Sequence, residues 1–225
     1  MKILGIDTSS KFLNIALAED SDIIKEESFL LDRTHSSELV PKIKELLKRS
    51  RVLVKKIDAF VIGLGPGSFT GLRIGVSAVK GFGIATGKPC IGVASIDAIA
   101  LNAVKDGVAI IPVIDAKREQ VYAAIYCKKG GRLERKTEYL LLSVEKLMKK
   151  VKGRAVFLGD GLVLYKDKIK SLNKEAVFLE DKYWYPCAGN LIKLGLSKIK
   201  KAKKPDLAKL VPLYLYPEDC QVKKP

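Results

Sequence analysis

The chain has 225 residues, 48% of them hydrophobic, with four cysteines, one histidine and a formal net charge of +16. This composition suits one large folded domain or two small lobes and excludes a largely disordered chain. No apolar run reaches the roughly 18 residues of a membrane helix, the opening residues form no leader, and scattered cysteines with one histidine exclude a zinc site. We therefore expect a cytoplasmic protein with reduced thiols and no bound metal.

In the first half, short apolar runs bounded by turn residues predict strands, and apolar residues at helical spacing predict helices. The strands are expected at residues 2–6, 12–18, 23–30, 59–62 and 90–93. The helices are expected at residues 36–49, 68–85 and 95 to about 104.

The second half repeats this order of elements. Its strands are expected at residues 108–114, 121–127, 132–141, 155–158 and 176–179, and its helices at 143–151 and 188–203. Three antiparallel strands followed by alternating helices and strands indicate a mixed sheet flanked by helices. The repetition predicts an α/β protein of two lobes, residues 1–104 and 105–225, each with a five-stranded mixed sheet.

The positive charge is unevenly distributed, with +3 on residues 1–100 and +13 on the remainder. Much of it lies in two lysine-rich clusters. These are Lys146, Lys149, Lys150, Lys152 and Arg154, and then Lys198, Lys200, Lys201, Lys203 and Lys204. A surface near nucleic acid and a solvated helix face are both compatible with such clusters.

The most informative segment runs from Gly63 to Gly75, where glycines lead from a strand into a helix. Ser68 is a good N-cap residue, and free N–H groups at a helix start can hold an anion. No Walker lysine follows, which weakens a phosphate role. Gly67, Gly71 and Gly75 recur every four residues, and each helical glycine costs roughly 0.8–1 kcal/mol relative to alanine. Close packing must offset that cost, either within the lobe or across an interface.

Two turns place a carboxylate at the mouth of a buried strand. Asp7 precedes Thr8 and Ser9, and Asp115 precedes Ala116 and Lys117. A carboxylate in this position suits metal-bound phosphate, but Asp, Thr and Ser also favour turns through local hydrogen bonds. Lys117 either contacts phosphate or pairs with Asp115.

His35 is the single histidine and opens a predicted helix. A metal pair one helical turn apart would need a second ligand at position 39, where Leu39 offers none. We interpret His35 as a helix-entry residue.

Taken together, these segments resemble the TsaB family. The resemblance rests on residues 3–9, on the run from Gly65 to Gly75 and on residues 114–117, and it spans nearly the whole chain. It implies the actin-like, ribonuclease H-like fold of sugar kinases and Hsp70 ATPases in both lobes. It also implies that residues 205–225 pack back on the first lobe.

The resemblance further implies a catalytically inactive subunit that pairs with TsaD, which transfers a threonylcarbamoyl group to an adenosine next to the tRNA anticodon. TsaE and TsaC are the other implied partners, and a homodimer is implied for the isolated chain. Contact with tRNA is expected through the complex. No cofactor is expected to bind tightly, and ATP or ADP is expected only in complex with partner subunits.

The implied pairing surface lies on the first two helices. Its residues are His35, Leu39, Ile43, Leu46, Phe69, Gly71, Leu72, Gly75, Ala78 and Val79. The implied nucleotide or phosphate contacts are Asp7, Thr8, Ser9, Gly65, Gly67 and Asp115.

Two other functions are weighed beside this one. An ATP-dependent phosphotransferase of the same fold would use Asp7 for magnesium-bound phosphate, Asp115 as base, and residues 159–161 as an adenosine loop. The missing glycine after Asp115 argues against that enzyme. A metalloprotease is disfavoured because the metal ligands are absent from the sequence.

Overall fold

The computed structural model describes residues 1–31, 35–103, 106–202 and 206–216, but not the side chains of residues 35 and 36. The chain divides into two compact units. The first comprises Met1–Ala98 and Pro186–Leu213, and the second comprises Ile99–Tyr185 and Tyr214–Pro225. None of the helices in these described ranges is long and apolar enough to cross a bilayer.

The helices and strands are numbered separately along the chain. The α-helices are α1 (His35–Arg49), α2 (Phe69–Thr86), α3 (Ser95–Ala100), α4 (Val144–Met148), α5 (Leu162–Leu172) and α6 (Ala188–Lys201). The strands of the first unit are β1 (Lys2–Asp7), β2 (Phe12–Glu19), β3 (Asp22–Leu30), β4 (Ala59–Gly63) and β5 (Cys90–Val93). The strands of the second unit are β6 (Ala109–Asp115), β7 (Val121–Ala123), β8 (Tyr126–Lys129), β9 (Arg132–Arg135), β10 (Leu140–Leu142), β11 (Ala155–Leu158) and β12 (Ala176–Phe178).

The first unit contains a five-stranded mixed sheet in the order β3-β2-β1-β4-β5. Strands β1, β2 and β3 form an antiparallel meander, whereas β4 and β5 join in parallel. Alternate residues of a strand point to opposite faces. Leu4 and Ile6 accordingly pack in the core that contains α1 and α2, whereas Ile3 lies in a separate core with α6. Gly5 allows α6 to approach, because a Cβ there would lie 2.8 Å from the Ala188 carbonyl oxygen.

The second unit contains a seven-stranded sheet. Five of its strands follow the order β10-β7-β6-β11-β12, and β8 pairs with both β6 and β9. Helices α4 and α5 pack on this sheet, with Leu147 and Ile169 in one core with Phe157.

The predicted class of two mixed sheets with flanking helices is confirmed, but the second sheet has seven strands where five were predicted. The predicted strand 121–127 is interrupted at Ala124 and Ile125. The Ile125 N–H donates to the Thr137 hydroxyl at 3.1 Å, so it turns away from the regular ladder. Two short strands result, and the second forms the hairpin of β8 and β9. Helix α5 was not predicted.

Helix α6 belongs to the first unit, although it was predicted to lie in the second lobe. Leu191 and Ile192 pack in the core that contains Ile3 of β1. An amphipathic sequence shows which side of a helix is apolar, but it does not show which sheet that side covers. The predicted division between residues 104 and 105 therefore differs from the observed one.

Residues 206–216 contain no helix or strand. In the first unit, Leu207 and Leu210 pack with the core beneath α1 and α2, and the Leu213 N–H donates to the Leu64 carbonyl at 2.7 Å. In the second unit, the Tyr216 hydroxyl donates to the Ala116 carbonyl at 2.7 Å.

Candidate functional site

Asp7 ends β1, and its side chain is fully buried within the first unit. Its Oδ1 accepts hydrogen bonds from the Ser9 N–H at 2.8 Å and from the Ser9 hydroxyl at 2.6 Å. Its Oδ2 accepts a hydrogen bond from the Ser95 hydroxyl at 2.6 Å. Gly63 lies so close that a Cβ there would be 1.8 Å from Oδ2. The carboxylate is therefore enclosed by hydroxyls and backbone of the same unit.

Ser95 connects this carboxylate to the glycine-rich loop. Its hydroxyl accepts a hydrogen bond from the Gly65 N–H at 3.0 Å, and its own N–H donates to the Gly65 carbonyl at 2.7 Å. Gly65 has a φ of +92°, a conformation that favours glycine. The loop is therefore fixed to the carboxylate of Asp7 through one buried serine.

The glycine ridge of Gly67, Gly71 and Gly75 faces the turn at the end of β1. A Cβ on Gly71 would lie 2.0 Å from the Thr8 carbonyl oxygen, and one on Gly75 would lie 2.3 Å from Thr8 Oγ1. A Cβ on Gly67 would lie 2.1 Å from the Ser9 carbonyl oxygen. Packing within the unit accounts for these three glycines, which was one of the two alternatives left open by their spacing.

Gly81 has a different environment. It is exposed, and a Cβ added at this position would have no described atom within 4 Å apart from its own helical neighbours. Ser77 and Ile84 are also exposed on α2, and Ile84 has 75% of its surface accessible. On the neighbouring α1, Val40 is 51% exposed. We call the exposed residues Val40, Ser77, Gly81 and Ile84 the outer helical face.

In the second unit, Asp115 ends β6 as Asp7 ends β1. Its carboxylate accepts hydrogen bonds from Lys117, at 2.9 Å from the backbone N–H and 2.5 Å from Nζ. This hydrogen bond and the negative charge of Asp115 raise the pKa of Lys117. The structure thus shows the ion pair that was one of the two predicted roles of Lys117.

The predicted adenosine loop packs against its own sheet. A Cβ on Gly159 would lie 2.3 Å from the Val113 carbonyl oxygen, and one on Gly161 would lie 2.9 Å from the same atom. Between them, Asp160 accepts a hydrogen bond from the Asp115 N–H at 3.2 Å. These contacts explain the two glycines without a nucleotide.

Known proteins resemble this chain along most of its length. A family model described as "TsaD: tRNA N6-adenosine threonylcarbamoyltransferase" matches residues 29–209. The chain is 33% identical to the Bacillus subtilis tRNA threonylcarbamoyladenosine biosynthesis protein TsaB, over 99% of this chain and 97% of that protein. The chain belongs to the TsaB family. The Escherichia coli protein of the same name is 28% identical to this TsaB-family chain. The match covers 96% of this chain and 94% of the Escherichia coli protein.

Solved structures share the fold of this TsaB-family chain. A Pseudomonas aeruginosa protein described as similar to peptidase YEAZ superposes with a TM-score of 0.81 at 23% identity, covering 96% of this chain and 99% of its own. The activator of 2-hydroxyisocaproyl-CoA dehydratase from Clostridium difficile, solved with bound ADPNP, gives a TM-score of 0.52 at 11% identity, covering 96% and 100%. At 23% and 11% sequence identity, these similarities show a shared fold and do not indicate a shared function.

Most of the pairing residues expected from the TsaB family are not available on the surface of this chain. Five are at most 2% exposed within the core of the first unit, namely Leu39, Ile43, Leu46, Leu72 and Val79. Ala78 also packs against that core, and Gly71 and Gly75 face Thr8. In the described chain these residues pack toward the interior of the unit, because an amphipathic helix turns its apolar stripe toward its own sheet, and their part in pairing stays a prediction. Phe69 remains exposed, and the side chain of His35 lies outside the described residues.

Two parts of the site were missed in the sequence. Ser95 was predicted only as the start of a helix, because nothing local relates it to a carboxylate 88 positions away. The outer helical face was not predicted, because the prediction rested on the regularly spaced glycines Gly67, Gly71 and Gly75. Gly81 does not continue that four-residue spacing, and it was the one feature of the sequence that could have indicated this face. In the described part of the chain, no three His, Cys, Asp or Glu side chains are grouped to hold a metal ion.

Proposed function

We propose that this chain is a non-catalytic subunit in tRNA threonylcarbamoyladenosine biosynthesis. Its place in that process is supported by its TsaB relatives and by the matching TsaD family model. In this proposal the chain pairs with TsaD through the outer helical face. The observation that carries the pairing surface is Gly81, an exposed helical glycine without a packing partner in the described chain.

The non-catalytic role is supported by the closed environment of Asp7. Magnesium-bound phosphate would have to enter a fully buried cluster, in which Ser9 and Ser95 already donate three hydrogen bonds to the carboxylate of Asp7. Hydrogen bonds to charged groups contribute about 1.5–3 kcal/mol each, so opening this cluster would be unfavourable. The phosphotransferase alternative needs the same carboxylate to be open, so the observed arrangement favours a structural role.

The pairing surface is supported by its mixture of small and apolar residues. Gly81 and Ser77 would allow another backbone to approach closely, and the exposed side chain of Ile84 would be an apolar anchor. The glycine lowers helix stability by about 1 kcal/mol relative to alanine, which burial in a complex would offset. A symmetric dimer uses the same patch on both subunits. A homodimer of the isolated chain and a heterodimer with TsaD would therefore compete for this face.

The wider assembly follows from the same proposal. TsaE and TsaC act with the pair, and tight binding of tRNA and of ATP or ADP requires the assembled complex. The family resemblance supports these assignments.

The pairing surface is tested with two matched variants. Ile84→Glu and Val163→Glu each place a charge at an exposed apolar position, 75% and 71% accessible, on α2 and α5 respectively. Each variant is mixed with purified TsaD, and the bound fraction is measured by affinity co-purification. We expect Ile84→Glu to abolish pairing and Val163→Glu to preserve it. Equal retention of TsaD by both variants would overturn the proposed surface.

A further inference from the structure

A basic cavity lies at the opposite end of β1 from Asp7. Its volume is about 410 Å³, and it is lined by Met1, Lys2, Glu19, Lys55, Lys56, Asp58 and Lys88. Strand β1 extends from Lys2 to Asp7, and at about 3.3 Å per residue its two ends are about 17 Å apart. The cavity is therefore separate from the Asp7 cluster.

The two carboxylates of the cavity are already paired within the chain. The Glu19 carboxylate forms an ion pair with the Lys2 ammonium group, with 2.9 Å between Oε1 and Nζ. The Asp58 carboxylate accepts a hydrogen bond of 2.8 Å from the Lys2 backbone N–H. It also forms an ion pair with the Lys88 ammonium group, 3.6 Å away. The terminal ammonium group of Met1 pairs with Asp20 at 3.2 Å. Three of the five cationic groups at the cavity are thus balanced by carboxylates.

Lys55 and Lys56 supply the remaining positive charge. They are adjacent and exposed on the short 3₁₀ turn Val54–Lys56, and neither forms an ion pair with any other residue that the structure describes. The backbone beneath them is anchored, because the Ile57 N–H donates to the Val54 carbonyl at 3.0 Å and the Ile57 side chain is fully buried. Two adjacent uncompensated cations beside a concave surface attract an anion.

We propose that this cavity binds a phosphate-bearing ligand, with Lys55 and Lys56 contacting the phosphate. Its volume lies within the range of roughly 300–1,000 Å³ typical of small-molecule sites. A free nucleotide and the backbone of an RNA carry the same phosphate chemistry. The proposal does not depend on pairing with TsaD, because it concerns residues outside the outer helical face.

The test compares two double variants of the full chain. Lys55→Gln/Lys56→Gln removes the proposed contacts. Lys128→Gln/Lys129→Gln removes the same charge from another adjacent pair, at the end of β8 and outside both lysine-rich clusters. Inorganic pyrophosphate and ADP are titrated by calorimetry, and a tRNA transcript is titrated by fluorescence anisotropy at several salt concentrations. We expect the first variant to bind at least about tenfold more weakly than the unmodified chain, and the second to stay within about twofold.

The pattern across the probes identifies the source of the phosphate. Weaker binding of pyrophosphate and ADP assigns the cavity to a free nucleotide or phosphate. Weaker binding of tRNA alone, with a smaller dependence on salt, assigns it to an RNA backbone. Absence of binding by the unmodified chain, or equal weakening in both double variants, would overturn the proposal. Unfolding curves and TsaD co-purification with the same variants distinguish this outcome from misfolding and from failure of the pairing surface.

Discussion

The Thr8 hydroxyl donates a hydrogen bond of 2.7 Å to the Gly71 carbonyl, joining residues 63 positions apart. This bond holds the first turn of α2 against the end of β1. The ridge glycines Gly71 and Gly75 are consequently part of the internal structure of the unit. Gly81 has no such contact within the described chain, and a partner would explain it.

Alanine substitutions should separate the two kinds of helical glycine. Gly71→Ala should lower the free energy of unfolding by about 1–3 kcal/mol or more, because its Cβ would overlap a backbone oxygen. Gly81→Ala should raise it by about 0.8–1 kcal/mol, because its Cβ meets open space in the isolated chain. Urea unfolding of the two variants measures both values. Equal changes would contradict the assignment of Gly71 to internal packing.

Asp7→Asn tests whether the buried carboxylate is structural. The amide cannot accept every hydrogen bond now made by Ser9 and Ser95, so we expect a loss of about 1–3 kcal/mol in the free energy of unfolding. The assembled complex containing this variant should still modify tRNA at temperatures where the variant is folded. Unchanged stability together with lost modification would instead indicate a catalytic carboxylate.

The C-terminal segment should contribute to the stability of the first unit. Leu210 is 2% exposed, whereas the adjacent Val211 is 55% exposed. Leu210→Ala should cost about 2–5 kcal/mol through lost burial and a new cavity. Val211→Ala should change stability by no more than about 0.5 kcal/mol. Thermal or urea unfolding checks the pair, and a small effect at Leu210 would contradict the observed packing.

Two cysteines should react slowly in the folded chain. Burial raises the pKa of both Cys90 and Cys187 from 9.0 to about 11. At pH 8 only on the order of one thiol in a thousand would be ionised at each position. Alkylation by iodoacetamide, followed by mass spectrometry of the peptides, should be much slower in the native chain than in urea. Equal rates in the two states would show that these thiols are not protected.

The same pKa values predict a loss of stability at alkaline pH. The unfolded thiol ionises near 9 while the folded thiol stays protonated up to about 11. The contribution of each of these two thiols is therefore fully present below pH 9 and is lost as the pH rises through 11. Replacing Cys90 and Cys187 by alanine should reduce this alkaline decline, measured by urea unfolding at pH 8 and pH 10. An unchanged decline would assign it to other groups.

Local sequence patterns predicted much of the fold. Strands β5 and β11 have the predicted bounds, because each is a short run of mainly apolar residues. Helix α6 was recognised from its apolar stripe but assigned to the wrong unit, since long-range packing decides which sheet it covers. Helix α5 was missed, and several of its apolar residues, including Val163 and Leu164, are exposed.

The candidate site shows the same limit. The spacing of Gly71 and Gly75 predicted close backbone contact, and such contact is present. Spacing could not identify the contacting group, which is Thr8 of the same unit. The partnership of Asp7 with Ser95 also depends on the sheet, which brings the end of β1 beside the start of α3. Local patterns predicted the type of contact, whereas the identity of the neighbour required the three-dimensional structure.

The central claim is tested most directly by the mass of the species formed with TsaD. Analytical ultracentrifugation is run on the chain alone, on TsaD alone and on equimolar mixtures with and without ATP. We predict a homodimer of the isolated chain that is replaced by a one-to-one heterodimer when TsaD is added, because both use the outer helical face. A mixture that sediments as two independent species, or a homodimer that persists within the complex, would contradict this account.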